Sequence, residues 1–512
     1  MYKKYAFIVI FILTINSLSA FELSFDLNLT ATMLRSNGVW KKNTQVNIVK
    51  FVHDTNIDEY GRLNEFFYLE DEKGNSVDIN SKVDDCFGFK YNNVQQLWDA
   101  NIVTKVLYQL KKKGFQYELR REMEDDALKY IHEVKSSGLE LNDPFLNTYV
   151  YSLIARIAPV QLIDGRPGSV NIIIQQNPSI NACCFPNGTI VLNTGLLALL
   201  HSEDELVAIL AHEIAHFILD HAVQNVNAAI SRQKRAAFWG KLATGLTAVA
   251  EGVVASRNEY YVPGAATIGM AVLSTSIAKQ VVDRLGMQYN HEQEQEADRL
   301  AIEVLEILGY DKNALATALN RINEEKIKDM NNVAYLDSYT HPALIKRIQD
   351  AGVAYTIRDK HFERHISFAI SNVALMKYND CRFRQCLPYV DQNIENGVAT
   401  VDDYILKANC YLNTRNDLKS NNDVMELIKK AKSLDSRNIN VLKSEIIATM
   451  RLDDKIKSIE LLKQYISSLE EGFESNLTDV VHQRFVFSEK EWAKKMIIKL
   501  NGMLTIYKYE IP

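Results

Sequence analysis

The spacing of hydrophobic and polar positions changes along the chain and divides it into four stretches. Residues 5–15 form one apolar run behind Lys3 and Lys4, and residues 16–20 read N-S-L-S-A, ending on Ala20. A basic start, a short apolar run and a small-residue end predict a signal peptide over 1–20. The run is short for a membrane span, which needs about 20 residues. From 21 to about 115 the apolar positions fall into strand-like groups at 46–52, 64–69 and 76–80. Glu72-Lys73-Gly74-Asn75 reads as the hairpin turn between the last two. A small β-rich unit is expected here, and nothing in it points to chemistry.

The stretch 116–355 mixes periods. Residues 118–136 are charged and helix-prone, and Asp143-Pro144 opens a second helix through Ala158. Residues 170–175, V-N-I-I-I-Q, and 188–193 read as buried-type strands. A short helical stretch at 196–200 follows, then a helix over 203–225 announced by the capping-box pair Ser202 and Glu205. Residues 235–285 are apolar, rich in small residues and broken at Pro263-Gly264. Two readings stand for this insert. It is a helical hairpin packed on the rest of the stretch, or a flap making peripheral membrane contact, with Arg232, Lys234 and Arg235 against anionic headgroups. Beyond 355, short amphipathic helices repeat. Tyr378-Asn379-Asp380, Leu412-Asn413-Thr414 and Arg451-Leu452-Asp453 occupy comparable places, at a spacing near that of tetratricopeptide repeats.

Composition narrows the classes. The 512 residues are 47% apolar and 24% charged, within the globular range. With 58 basic against 64 acidic residues the net charge is -6, and no nucleic-acid partner is indicated. Six cysteines do not make a disulfide scaffold. Cys381–Cys386 and Cys386–Cys410 both remain open as bridges.

The chemistry sits in His212-Glu213-Ile214-Ala215-His216, inside the helix expected over 203–225. Residues i and i+4 share a helix face, so both imidazoles suit one tetrahedral zinc ion. Glu213 stands beside them as general base. A third ligand is needed, and the next acidic cluster, 290–298, opens another helix. Glu294 and Asp298 share a face, as do Glu292 and Glu296, and helical geometry alone does not choose between the pairs. His221, five positions beyond His216, reads as structural, and His291 as a bystander.

From about Asp143 to Arg347 the chain resembles the M48 family of zinc metallopeptidases, which contains the CAAX prenyl protease and bacterial envelope-stress proteases. The resemblance is carried by Asn181-Ala182 with Pro186-Asn187-Gly188, Asn193-Thr194-Gly195-Leu196-Leu197, Ser202-Glu203-Asp204-Glu205-Leu206, the His212–His216 motif, Glu294-Gln295-Glu296-Ala297-Asp298, and His341-Pro342 with Arg347. Cys183-Cys184 departs from the larger or plainly apolar residues of relatives. The resemblance implies one Zn2+ per chain held by His212, His216 and Glu294, with Asp298 behind a ligand histidine. It brings His341 to the zinc as a fourth, blocking ligand or as a donor to the transition state. The implied fold is α+β, mainly α. A signal peptide (1–20) precedes a β-rich unit (21–115), a zincin-like metallopeptidase domain (116–355) and tetratricopeptide-like helices (356–512). The apolar insert and helical repeats look like those of periplasmic members.

The expected function is an exported zinc endopeptidase of envelope protein quality control, acting in the periplasm or cell envelope on unfolded or misassembled proteins. Strand 188–192 is expected to offer its edge to an extended substrate, and the repeats a concave surface for envelope assembly machinery. The competing reading is an envelope chaperone or assembly factor with a latent peptidase site. A membrane-dwelling prenyl-protein protease is disfavoured, since the chain lacks many long apolar spans.

Overall fold

The computed structural model describes residues 23–57, 63–81, 86–111, 114–162, 170–229, 287, 289–329, 344–355, 358–415, 417–474 and 480–509. The signal peptide expected over 1–20, the insert 235–285 and His341 lie outside the described residues.

Five strands open the chain: β1 (Leu23–Met33), β2 (Gln45–Ile57), β3 (Leu63–Glu70), β4 (Ser76–Asn80) and β5 (Phe87–Lys90). They form one antiparallel sheet in the order β4-β3-β2-β1-β5. The three expected strands are β2, β3 and β4. In β1, Leu27, Leu29, Ala31 and Met33 are buried at period two, the mark of a one-faced strand. Asp71 fastens the β3–β4 turn by accepting from the backbone N–H groups of Lys73 and Asn75, the Asn75 amide and the Trp40 indole. These bonds, Asn75 first and Trp40 next, hold its pKa at about 2.

A helical segment follows: α1 (Val94–Asn101), a π turn (Ile102–Val106) and α2 (Leu107–Lys111). Next come α3 (Phe115–Ser136) and α4 (Pro144–Ile157), the latter capped by Asp143, which accepts from the Leu146 N–H. Strands β6 (Asn171–Gln175), β7 (Ala182–Cys184) and β8 (Thr189–Asn193) form a second sheet in the order β6-β8-β7. β8 runs parallel to β6 and antiparallel to β7, and all five of its residues are buried. The expectation that strand 188–192 presents an edge is therefore corrected. Its hydrogen bonds are taken on both sides, and β7 is the outer strand beside it.

Helix α5 (Thr194–Leu199) leaves β8 at Gly195, where a Cβ would lie 2.2 Å from the Pro178 carbonyl oxygen. Helix α6 (Glu203–Ile218) begins at Ser202, which accepts from the Glu205 N–H, and is buried from Glu205 to Ile218. The single helix expected over 203–225 is broken. Asp220 adopts φ 58°, and α7 (His221–Ala229) leaves at 49° to α6. Asp220 is buried against Arg120 of α3, which anchors this left-handed residue. Helix α8 (His291–Leu308) starts with a capping box between Asn290 and Gln293 and ends at Gly309 in the left-handed region. Then come α9 (Ala314–Asp329) and α10 (Leu344–Ala351).

The remainder is helical: α11 (Lys360–His365), α12 (Ser367–Asn379), α13 (Phe383–Glu395), α14 (Val401–Thr414), α15 (Leu418–Leu434), α16 (Ile439–Arg451), α17 (Lys455–Glu474) and α18 (Val480–Tyr509). The three repeated tripeptides fall at the ends of α12, α14 and α16. One hydrophobic cluster runs from Leu27 through α6 and α8 to Val373, so the core passes both 115 and 355 without a break. Among the described residues no single helix is long and apolar enough to cross a membrane.

Candidate metal centre

Two helices that pack together build the site. α6 supplies His212, Glu213 and His216, each at most 2% exposed, and α8 supplies Glu294, fully buried. The Nε2 atoms of His212 and His216 lie 3.1 Å apart. One Glu294 oxygen lies 3.7 Å from the His212 Nε2, and the other 3.7 Å from the His216 Nε2. Ligand atoms at about 2.0–2.1 Å from a tetrahedral zinc are separated by roughly 3.3 Å, so the three groups fit one ion. The chemistry of the donors agrees. Both histidines have their Nδ1 atoms engaged elsewhere, which leaves two Nε2 lone pairs and a carboxylate converging on one point.

The Nδ1 of His212 faces Asp298 at 2.8 Å. Arg347, from α10, binds Asp298 through two nitrogens at 2.7 and 2.8 Å and reaches Glu294 at 2.5 Å. Burial works against the Asp298 carboxylate, but the Arg347 charge and hydrogen bonds and the His212 contact outweigh it and lower its pKa well below the usual range. Burial likewise opposes the Arg347 charge, and Asp298 with Glu294 more than restores it. On the other histidine, the Tyr289 ring stacks on His216 with centroids 3.6 Å apart.

A small cleft opens on this group. It is lined by Asn181, which precedes β7, Ala182 at its start, Leu196, Ile209 and Leu344, together with His212, Glu213 and Arg347. Cys183 and Cys184 point to opposite sides of β7 and join different hydrophobic clusters. Burial, and then the charge of Glu213, push the Cys183 thiol pKa up.

The model of peptidase family M48 matches residues 144–353. The chain carries an M48 metallopeptidase domain. The β-barrel assembly-enhancing protease of Escherichia coli (strain K12) is 30% identical over 226 residues, 43% of this chain and 41% of that protein. The one from Yersinia pestis is 29% identical over 227 residues, again 43% and 41% of the two chains. The mitochondrial metalloendopeptidase OMA1 of Schizosaccharomyces pombe is 26% identical over 109 residues, 21% of this chain and 32% of that one. The matched region thus spans about two fifths of the length of these β-barrel assembly-enhancing proteases.

Within the M48 domain the structure brings together His212, Glu213, His216, Glu294 and Asp298. Glu292 and Glu296, the alternative pair on α8, stay out of the cluster of converging ligands. His291 also takes no part in it. The sequence reading assigned no role to Arg347, whose fork spans two carboxylates; its partners Asp298 and Glu294 stand on α8, 49 or more positions away in sequence. It also missed Tyr289, which precedes the α8 cap, and the contact of His221 with His216, which the break at Asp220 creates.

Proposed function

We propose that the chain is an exported zinc-dependent endopeptidase that hydrolyses peptide bonds in unfolded or misassembled envelope proteins. The observation that carries this reading is the convergence of His212, His216 and Glu294 on one point, with Glu213 lining the same cleft. These three side chains hold the ion, and Asp298 with Arg347 orients His212. When bound, zinc supplies Lewis acidity toward the scissile carbonyl and the attacking water. Glu213 takes a proton from that water as its oxygen bonds to the carbonyl carbon. It then delivers the proton to the leaving nitrogen as the C–N bond breaks, giving a carboxylic acid and an amine.

An extended substrate lies along the outer side of β7, beside Asn181 and Ala182 of the cleft wall, and adds as a further strand. Folded proteins rarely offer such a strand, whereas unfolded β-barrel chains are rich in them, and the relatives from Escherichia coli and Yersinia pestis are named for enhancing β-barrel assembly. The basic and apolar start of the chain supports export to the periplasm or envelope. His341 belongs to this proposal through the family resemblance, as a residue that would either ligate the ion or donate to the transition state.

A second reading, an assembly factor with a latent peptidase site, draws on α12, α14 and α16. These helices flank a groove of about 750 Å³ with apolar walls such as Phe368, Ile405 and Ile447 and polar groups such as Asn409, Lys443 and Arg451, and on this reading it serves as a tetratricopeptide-like docking surface. Casein hydrolysis and zinc content of wild type and Glu213→Gln separate the two. The peptidase reading expects equal zinc in both and hydrolysis lost only in the variant. Equal zinc with no hydrolysis by either protein favours the assembly factor.

A further inference from the structure

On His212 the Nδ1 faces the Asp298 carboxylate; His216 is arranged differently. Its Nδ1 instead faces the Nδ1 of His221 at 2.8 Å. His221 is 1% exposed, and its Nε2 lies 3.3 Å from a carboxylate oxygen of Glu296. Glu296 in turn pairs with Lys105, which stands in the π turn at the end of the N-terminal unit, 191 positions away.

The direction of every hydrogen bond in this series follows from the first. His216 turns its Nε2 toward Glu294 and His212, so in the neutral ring its proton is on Nδ1. That N–H donates to the His221 Nδ1, which must accept through its lone pair. The His221 proton then sits on Nε2 and donates to Glu296, where only an acceptor serves. Lys105 supplies the charge that keeps the acceptor in place. The geometry depends on the broken helix. On a straight helix an offset of five would carry His221 about 140° around the axis from His216.

We propose that His221, Glu296 and Lys105 are positioning residues that fix the tautomer and orientation of His216, so that the N-terminal unit contributes to metal affinity through its π turn. This rests on the metal-centre reading above and deepens it. Outer partners of metal-bound histidines are typically worth about 10–100-fold in metal affinity. π turns often mark functional sites, and this one carries the lysine that ends the relay. The proposal also gives the N-terminal unit a task beyond packing.

The test is zinc affinity of the full chain, measured by competition with a chromophoric chelator. It is run alongside thermal unfolding of the zinc-free protein and the absorption spectrum of the cobalt-substituted form. His221→Leu is expected to bind zinc about 10–100-fold more weakly, with an altered cobalt spectrum. His221→Asn, whose amide oxygen can accept from His216, is expected to recover part of the loss. Lys105→Met, at a half-exposed position, should weaken zinc binding several-fold with unchanged zinc-free stability, and Lys105→Arg should restore it. Wild-type zinc affinity in His221→Leu overturns the relay, and wild-type affinity in Lys105→Met removes the N-terminal unit from it. Should His221→Leu fail to fold, the Lys105 pair decides alone. A wild-type chain that binds no zinc would instead sink the metal centre itself.

Discussion

Replacing Arg347 by leucine would leave Glu294 and Asp298 buried with no cation beside them. Removing one partner from a buried ion pair costs about 3–5 kcal/mol, and that loss is expected in chemical denaturation of the zinc-free Arg347→Leu protein. Zinc should offset part of it, because the ion repairs the charge balance at Glu294. An unchanged denaturation midpoint in the zinc-free variant would show that the carboxylates do not depend on the guanidinium. At this scale the sequence was informative where function occupies contiguous letters: His212, Glu213 and His216 are read directly from one helical turn. Glu294 and Glu296 were not separable by periodicity. The fold separates them, with Glu294 fully buried among the ligands and Glu296 still partly exposed beside Lys105. Arg347, His221 and Lys105 carried no signal because their partners are distant in sequence or depend on the left-handed turn at Asp220.

The β3–β4 turn is an element whose stability depends on pH. Asp71 has a folded pKa of about 2 against an ordinary 3.8. A depressed carboxylate stabilises the fold above its unfolded pKa, and that contribution is lost as pH falls through the folded value. Acid titration of wild type should therefore show a loss of sheet stability between about pH 4 and pH 2. Asp71→Ala should lack that component, and identical acid curves would remove the turn from the account. Turn and strand were legible here because Glu72-Lys73-Gly74-Asn75 and the strands around it follow simple rules. β1 was missed although its alternation is regular. The β8 edge was misread because buried-type composition says nothing of whether one or two neighbours pair with a strand.

The continuous core is the main feature of the whole molecule that composition did not reveal. Phe362, Ile366, Ala369, Ile370 and Val373 belong to the same cluster as α6 and α8. Asn372 donates to Gln176, accepts from Thr194 and so joins α12 to the M48 domain. A chain cut after 355 should thus be less stable and more prone to aggregate than one cut after 380, as thermal unfolding would register. Equal melting temperatures would mean that α11 and α12 are not part of the working core. The account as a whole depends on one zinc ion held by two imidazoles and a carboxylate. Elemental analysis with X-ray absorption at the zinc edge of the purified full chain tests this most directly. It should find one zinc per chain with two imidazole nitrogens in its first shell, and one imidazole fewer in His216→Ala. A chain without stoichiometric zinc, or a zinc spectrum unchanged by that substitution, would contradict the account.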